Sequence, residues 1–369
     1  MKSNKSIKQG LAIIVFSFLS TSLFAQFGEL GQVLAAGQGD AEKIFEAYLS
    51  PYANGIGAGL STGWYNTAKA HKIGGFDLNV SFNLTFVPTA DQSYNASELG
   101  LGNPTNGLTA EVAAGTSPTA AGSGDGQLVT YYQDILGTDV PISQFNLPRG
   151  TGFPYTPVPM IQLGLGLVKE TDVQVRYSPS LEWGNGSKIS LWGVGLKHSV
   201  SQWIPGLKKL PVFDMSLQGG YTKLNSKNGL DFQASFYDGF ADVVFNNEDL
   251  YSRQELMLDV SNITANLIVS GDFKIICIYG GVGISSTTSN LKLNGYYPFP
   301  EVVGAQIIVD DNTAQKDPID ITIKSTDGGV TKPRFNAGLR FKFAVVTINF
   351  DYTYANYSVA SAGLGISFR

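Results

Sequence analysis

The stretch 76-FDLNVSFNLTF-86 alternates apolar and polar residues almost without error. In an extended chain successive side chains point to opposite faces. Leu78, Val80, Phe82, Leu84 and Phe86 therefore share one face, and Asp77, Asn79, Ser81, Asn83 and Thr85 share the other. Two kinds of fold use such a strand. A soluble sheet turns the apolar face to a core and the polar face to water. A transmembrane barrel turns the apolar face to lipid and the polar face to its lumen.

The same alternation recurs in 161-IQLGLGLV-168, 213-FDMSLQGGYT-222, 335-FNAGLRFKF-343 and 346-VTINFDYTY-354. Period-2 patterning of this kind marks half-buried strands. It places strands over 55–66, 73–87, 158–168, 171–182, 187–200, 212–224, 253–270, 274–290, 331–343, 346–354 and 357–369. Two segments lose phase midway. In 188-KISLWGVGLK-197 the apolar set switches from Ile189 and Leu191 to Trp192, Val194 and Leu196, and 255-ELMLDVSNITANLIV-269 switches near Asn262. A bulge in each strand accounts for the switch, because one extra residue swaps the faces.

Composition separates the two folds. The chain begins with lysines at 2, 5 and 8, a short apolar run from Leu11 to Leu19, and Ser22, Leu23 and Ala25 before Gln26. This is the layout of a cleaved export signal over 1–25, and the apolar run is too short for the ~20 residues of a spanning helix. Loss of its three lysines takes the formal charge from −5 to −8, which argues against a nucleic-acid partner. Cys277 is the only cysteine, so no internal disulfide forms. Charged residues are 15% of the chain, against ~25% in soluble domains, while aromatics reach 12% and glycines number 43. A charge-poor, aromatic-rich exported chain without a spanning helix fits a transmembrane barrel.

The connections point the same way. Tight turns lie at 169–170, 271–273 and 344–345, whereas long loops occupy 88–157, 225–252 and 291–330. All three long loops share one parity, so they emerge from one end of the sheet, as in outer-membrane barrels. The fold expected is all-β: an antiparallel, transmembrane up-and-down barrel of about 12 strands, within roughly 10–14. It spans 55–369 and follows an N-terminal helical segment, 26–54. Within that segment, 39-GDAEKIFEAYLSP-51 reads as a short helix with Asp40 as N-cap and Pro51 as its stop. It either lies against the periplasmic rim or plugs the lumen. At the other end, 363-GLGISFR-369 places an aromatic, Phe368, next to the last residue, the kind of final strand that barrel-assembly machinery engages.

On the lumen-facing set fall Asp77, Asp172, Arg176, Asp214, Arg340, Lys342 and Asp351. Together with Asn79 and Asn83, all of these except Asp172 are the candidate binding residues. Their charges either pair with one another or form a constriction that selects solutes. No catalytic constellation is expected. His71 sits in a turn as a solvated residue, and His198 and Ser199 are adjacent on a strand and so point apart. No hydrolase or metalloprotease motif is present. No cofactor or metal is expected: 309-VDDNTAQKDPID-320 is acidic but does not match a calcium loop. Interfacial aromatic girdles are expected to account for most of Trp64, Trp183, Trp192 and Trp203.

Two stretches, 49-LSPYANGIGAGLSTGWYNTAK-69 and 195-GLKHSVSQWIPGLKKLPVFDMSLQGGYTKL-224, resemble an uncharacterised family of exported proteins from Bacteroidota. The resemblance implies an outer-membrane location and brings no site residues with it. A helical segment leading into a barrel is, more loosely, similar to the long-chain fatty-acid transporters. The expected function is passage or binding of small molecules through the lumen, hydrophobic ones among them. The alternative is a structural or surface-interaction barrel acting through its acidic loops. The expected partners are outer-membrane lipid, the assembly machinery during biogenesis and a small-molecule ligand.

Overall fold

The computed structural model describes residues 31–369 apart from 105–106, 136, 184–186, 208–209, 211, 231–241, 245, 252, 300, 304–305, 326–332 and 369. The export segment 1–25, Arg369 and the side chain of Trp183 lie outside the described residues.

Phe76–Phe86 forms strand β1. Its apolar face looks outward, with Leu78, Val80 and Phe82 exposed, and Asn79, Ser81, Asn83 and Thr85 are buried inside. The wall continues as β2 (Tyr155–Leu167), β3 (Thr171–Trp183), β4 (Ser187–Ser199), β5 (Phe213–Leu230), β6 (Gln254–Asp272), β7 (Ile276–Asn294), β8 (Pro333–Phe343), β9 (Val346–Tyr354) and β10 (Ser358–Phe368). Each strand pairs antiparallel with its sequence neighbour, and β1 pairs with β10 to close the cylinder. The closed barrel has ten strands. An eleventh, Ile319–Lys324, lies outside the ring and pairs with β7 over Thr288–Leu293, past the point where β8 ends. Outside the barrel the apolar residues form a continuous band, with Leu196, Leu217, Ile278, Phe350 and Leu364 all more than half exposed. Such a surface has no protein core to meet, and it suits hydrocarbon.

The two phase switches have a different cause from the bulges expected. The register of β4 with β5, and of β6 with both its neighbours, runs unbroken through them. The one irregularity nearby is on β3, between Ser178 and Leu181. Leu191, Leu224 and Val260 instead point inward, where they are buried with Val158, Met160 and Leu60. Part of the lumen is therefore apolar because something fills it.

The filling is the chain itself. Helix α1 spans Gln38–Ser61. Asp40 is not its N-cap; Gly37 is, without a side-chain cap. Nor does Pro51 end the helix, and 55–61 is helical rather than the first strand of the wall, which starts at Phe76. Ala41, Ile44, Phe45, Tyr48 and Tyr52 are spaced three or four apart and all buried, which gives the helix its apolar stripe. Gly55, Gly57 and Gly59 mimic strand periodicity, but here Gly55 and Gly59 let one side of the helix approach β2 and Gly57 lets another approach β7. A Cβ added at Gly59 would lie 2.6 Å from Val158 Cγ2. Each glycine costs the helix about 1 kcal/mol relative to alanine, and the close approach to the wall is what that cost secures.

After Ser61 the chain runs irregularly to the end of the barrel that carries the short turns 168–170, 273–275 and 344–345, and there enters β1. The opposite end carries the long connections. These fold over the first half of α1 and share a core with it that includes Val129, Tyr131, Phe145, Leu147, Tyr297 and Ile321. No helix among the described residues is long and apolar enough to cross a membrane.

Candidate functional site

The lumenal segment is held at three heights. At mid-depth the helix ends with carbonyls that have no partner within the helix. Two wall arginines supply one. Arg176 donates from Nη1 to Leu60 O at 2.6 Å and from Nη2 to Thr62 O at 2.7 Å. Arg334 donates from Nη1 to Ser61 O at 2.6 Å and from Nη2 to Thr62 Oγ1 at 3.2 Å. Cations at a helix C-terminus also meet the negative end of its dipole. Both guanidinium groups are buried, and the geometry shows why no carboxylate is needed at these contacts.

Just below, Trp64 lies across the lumen. The Arg176 guanidinium sits 3.6 Å from its ring centroid, a cation–π contact. Gln162 and Gln174 donate to Trp64 O at 3.0 and 2.6 Å. The far side of the ring rests on Gly195 and Gly220, which are cross-strand partners. A Cβ on Gly195 would lie 2.6 Å from the ring, and one on Gly220 would lie 2.5 Å away. Trp64 is thus a buried lumenal residue and not part of a girdle. Trp192 and Trp203 are exposed on the outside.

At the short-turn end His71 is buried and hydrogen-bonded, not solvated. Its Nδ1 is 3.0 Å and its backbone N 2.9 Å from the Asp172 carboxylate. Asp77 Oδ1 lies 3.5 Å from His71 Nε2. Lys197 reaches Asp172 Oδ2 at 2.9 Å and Lys69 O at 3.1 Å. His198, on the opposite face from buried Ser199, pairs with Thr171 Oγ1 and accepts from Trp203 Nε1.

The eight candidate residues divide. Asp77, Asn79 and Asn83 on β1, Arg340 and Lys342 on β8 and Asp351 on β9 all lie on the panel β8–β9–β10–β1. Asn83 donates to Gly59 O at 2.9 Å. Asp351 accepts from Tyr279 OH at 3.1 Å and from Asn336 Nδ2 at 2.9 Å. Arg340 is buried and faces inward beside Asn349. Asn79 is buried and Lys342 half-buried. Arg176 is on β3, across the lumen, and Asp214 is half-buried near the short-turn end of β5. The residues that sequence reasoning left out are Arg334, Lys197 and Trp64. The first two are legible from phase, since Phe335 and Leu196 face outward and their neighbours must face inward. Nothing in the pattern around Trp64 marks it.

On the side of α1 that faces the same panel, the lumen is not fully occupied. A cavity of about 400 Å³ opens beside the helix toward the long-loop end. Arg334, Ser61 and Thr62 lie at its deep end, and Thr287, Lys324, Asn356 and Tyr357 line it higher up. Thr85 Oγ1, level with Val359 of the cavity wall, and Asn79 Oδ1, Asn349 Oδ1 and Ser367 Oγ, further down the panel, are buried and have no hydrogen-bond partner among the described residues. Buried polar atoms of this kind take ordered water as partner. In the acidic loop, Asp310 and Asp311 accept hydrogen bonds from Asn312, Thr313, Asn246 and Tyr251.

A family model described as "Family of unknown function (DUF6588)" matches residues 2–368. No protein of curated function matches the sequence. Similar solved structures include the attachment invasion locus protein Ail of Yersinia pestis in complex with sucrose octasulfate, at 9% identity and TM-score 0.26, covering 80% of this chain and 98% of that one. They also include the outer membrane protease OmpT of Escherichia coli, at 8% identity and TM-score 0.28, covering 80% and 97%. A third is the transport unit of the autotransporter AIDA-I of Escherichia coli, at 9% identity and TM-score 0.27, covering 86% and 97%. Likeness at this level carries no functional argument.

Proposed function

We propose that this chain, which belongs to the DUF6588 family of unknown function, is an outer-membrane barrel that takes up small polar solutes in a vestibule beside its own plug. The long loops face outward and the short turns face the periplasm, the usual disposition of such barrels. Solutes enter the cavity next to α1 and move along the polar panel when the segment below Ser61 shifts. The observation that carries this reading is the asymmetry of the lumen. Its apolar side is packed against α1, while the side formed by β8, β9, β10 and β1 is polar, and residues of β8, β9 and β10 line the cavity. Apolar solutes would displace water from those groups without replacing its hydrogen bonds, so polar ones are favoured.

Solute flux into proteoliposomes tests the proposal. Small neutral sugars are expected to enter slowly, and oligosaccharides wider than the cavity are not. Entry should quicken in Asp172→Asn, which weakens the anchor at the inner mouth. No entry in either protein would reject the transport reading. A second reading then gains, because the long connections form a packed cap with its own core. In that case the protein acts through this outer surface. Fractionation with the outer membrane and a heat-dependent gel shift would support the location. Recovery from the soluble periplasm would contradict it.

A further inference from the structure

The chain runs through the barrel in one direction. The first half of α1 is built into the cap: Asp40 Oδ2 accepts from Tyr131 OH at 3.0 Å and from Gly102 N at 2.6 Å. Tyr48 OH donates to Arg149 O at 2.8 Å, and Tyr48 O accepts from Ala120 N at 2.9 Å. All these partners lie on the long connection between β1 and β2. The helix ends at mid-depth under Arg176 and Arg334, and His71 is fixed at the short-turn end by Asp172. Only then does β1 begin. The segment preceding the wall therefore enters from the long-loop end and leaves at the short-turn end.

This direction has a consequence for assembly. An exported chain reaches an outer-membrane barrel from the periplasmic side. With the long loops outward, the first half of α1 has crossed the membrane. The first half of α1 carries Asp40, Glu42, Lys43 and Glu46. Four charges in so short a span make passage through hydrocarbon costly. The polar lumen offers the alternative. We propose that the barrel passes its own N-terminal segment outward through the lumen during assembly, and so presents the start of α1 at the cell surface. The proposal rests on the outward orientation of the long loops given above.

Cysteine labelling of intact cells with a membrane-impermeant maleimide tests it. Cys277 is buried and gives little background. Three variants are used, each at an exposed position: Gln38→Cys at the start of α1, Ala114→Cys in the long connection, and Ile73→Cys at the short-turn end. A heat-dependent gel shift confirms that each is folded, and permeabilised cells show that each thiol can react. The expected result is labelling of Gln38→Cys and Ala114→Cys in intact cells, with Ile73→Cys labelled only after permeabilisation. If Ala114→Cys stays dark in intact cells, the orientation is wrong and the proposal falls with it. If Ala114→Cys reacts while Gln38→Cys does not, the orientation stands and the outward passage is overturned. Labelling of Ile73→Cys in intact cells would also overturn it, because both ends of the segment would then be reachable from one side.

Discussion

Arg176 holds its guanidinium 3.6 Å from the ring centroid of Trp64 while two of its nitrogens cap the carbonyls of Leu60 and Thr62. One wall side chain thus fixes both the end of the helix and the first aromatic residue below it. Charge-assisted hydrogen bonds contribute roughly 1.5–3 kcal/mol each in protein interiors. Arg176→Ala is expected to lower unfolding stability by about 2–4 kcal/mol, read as an earlier midpoint in denaturant-driven unfolding. Arg176→Lys should recover less than half of that loss, since one ammonium cannot make both carbonyl contacts and also reach Gln162, as Arg176 does through Nε at 2.9 Å. A midpoint unchanged in Arg176→Ala would show that the capping contacts do not hold the segment.

Gly195 and Gly220 make room for the other face of the Trp64 ring. Gly195→Val should force the indole from its slot and loosen the lumenal segment, seen as faster amide exchange over 62–72. Gly219→Ala is the control in the same sheet, because its Cβ would meet nothing nearer than Thr264 O at 3.9 Å. Equal exchange in the two variants would separate the glycines from the plug.

Asp40 ties the cap to α1 through Tyr131 and Gly102. Burial in the cap and the neighbouring Asp40 carboxylate push the Tyr131 hydroxyl well above the usual phenol range, so it stays a donor at all working pH. Asp40→Ala leaves that buried donor without its acceptor, at a cost of about 1–3 kcal/mol. The expected result is proteolytic nicking within 87–154 under conditions that spare the parent protein. The last turns of α1, packed on β2 and β7 and capped by Arg176 and Arg334, should keep their exchange protection.

The wall was legible in the sequence because it obeys a rule of period 2 that lipid enforces. Leu78, Val80 and Phe82 face outward as their alternation requires, and so do Val346, Phe350 and Leu364. The plug was not legible, for two physical reasons. The glycines of α1 fall at 55, 57 and 59, the spacing of a strand, although here they serve a helix that must touch β2 and β7. The inward leucines Leu191 and Leu224 break the polar-lumen rule, which holds for a water-filled barrel and fails where a helix packs inside. Phase switches of this kind are bulges in an empty barrel and the footprint of a plug in a filled one. Of the candidate site, the charges on β1, β8 and β9 came from phase alone. Trp64, His71 and the role of Arg334 depended on an irregular segment that has no period to read.

The central claim is that α1 occupies the lumen, and a cysteine pair tests it most directly. A Cβ at Gly59 would lie 3.1 Å from Val158 Cβ on β2. A disulfide needs about 3.5–4.5 Å between Cβ atoms, so a shift of a few tenths of an ångström allows one. In outer membranes carrying Gly59→Cys with Val158→Cys, mild oxidation is expected to give a product that migrates faster after denaturation and reverts with reductant, while neither single variant changes. If both thiols instead remain open to alkylation after oxidation and mobility does not change, the helix is not in the lumen and the account is wrong.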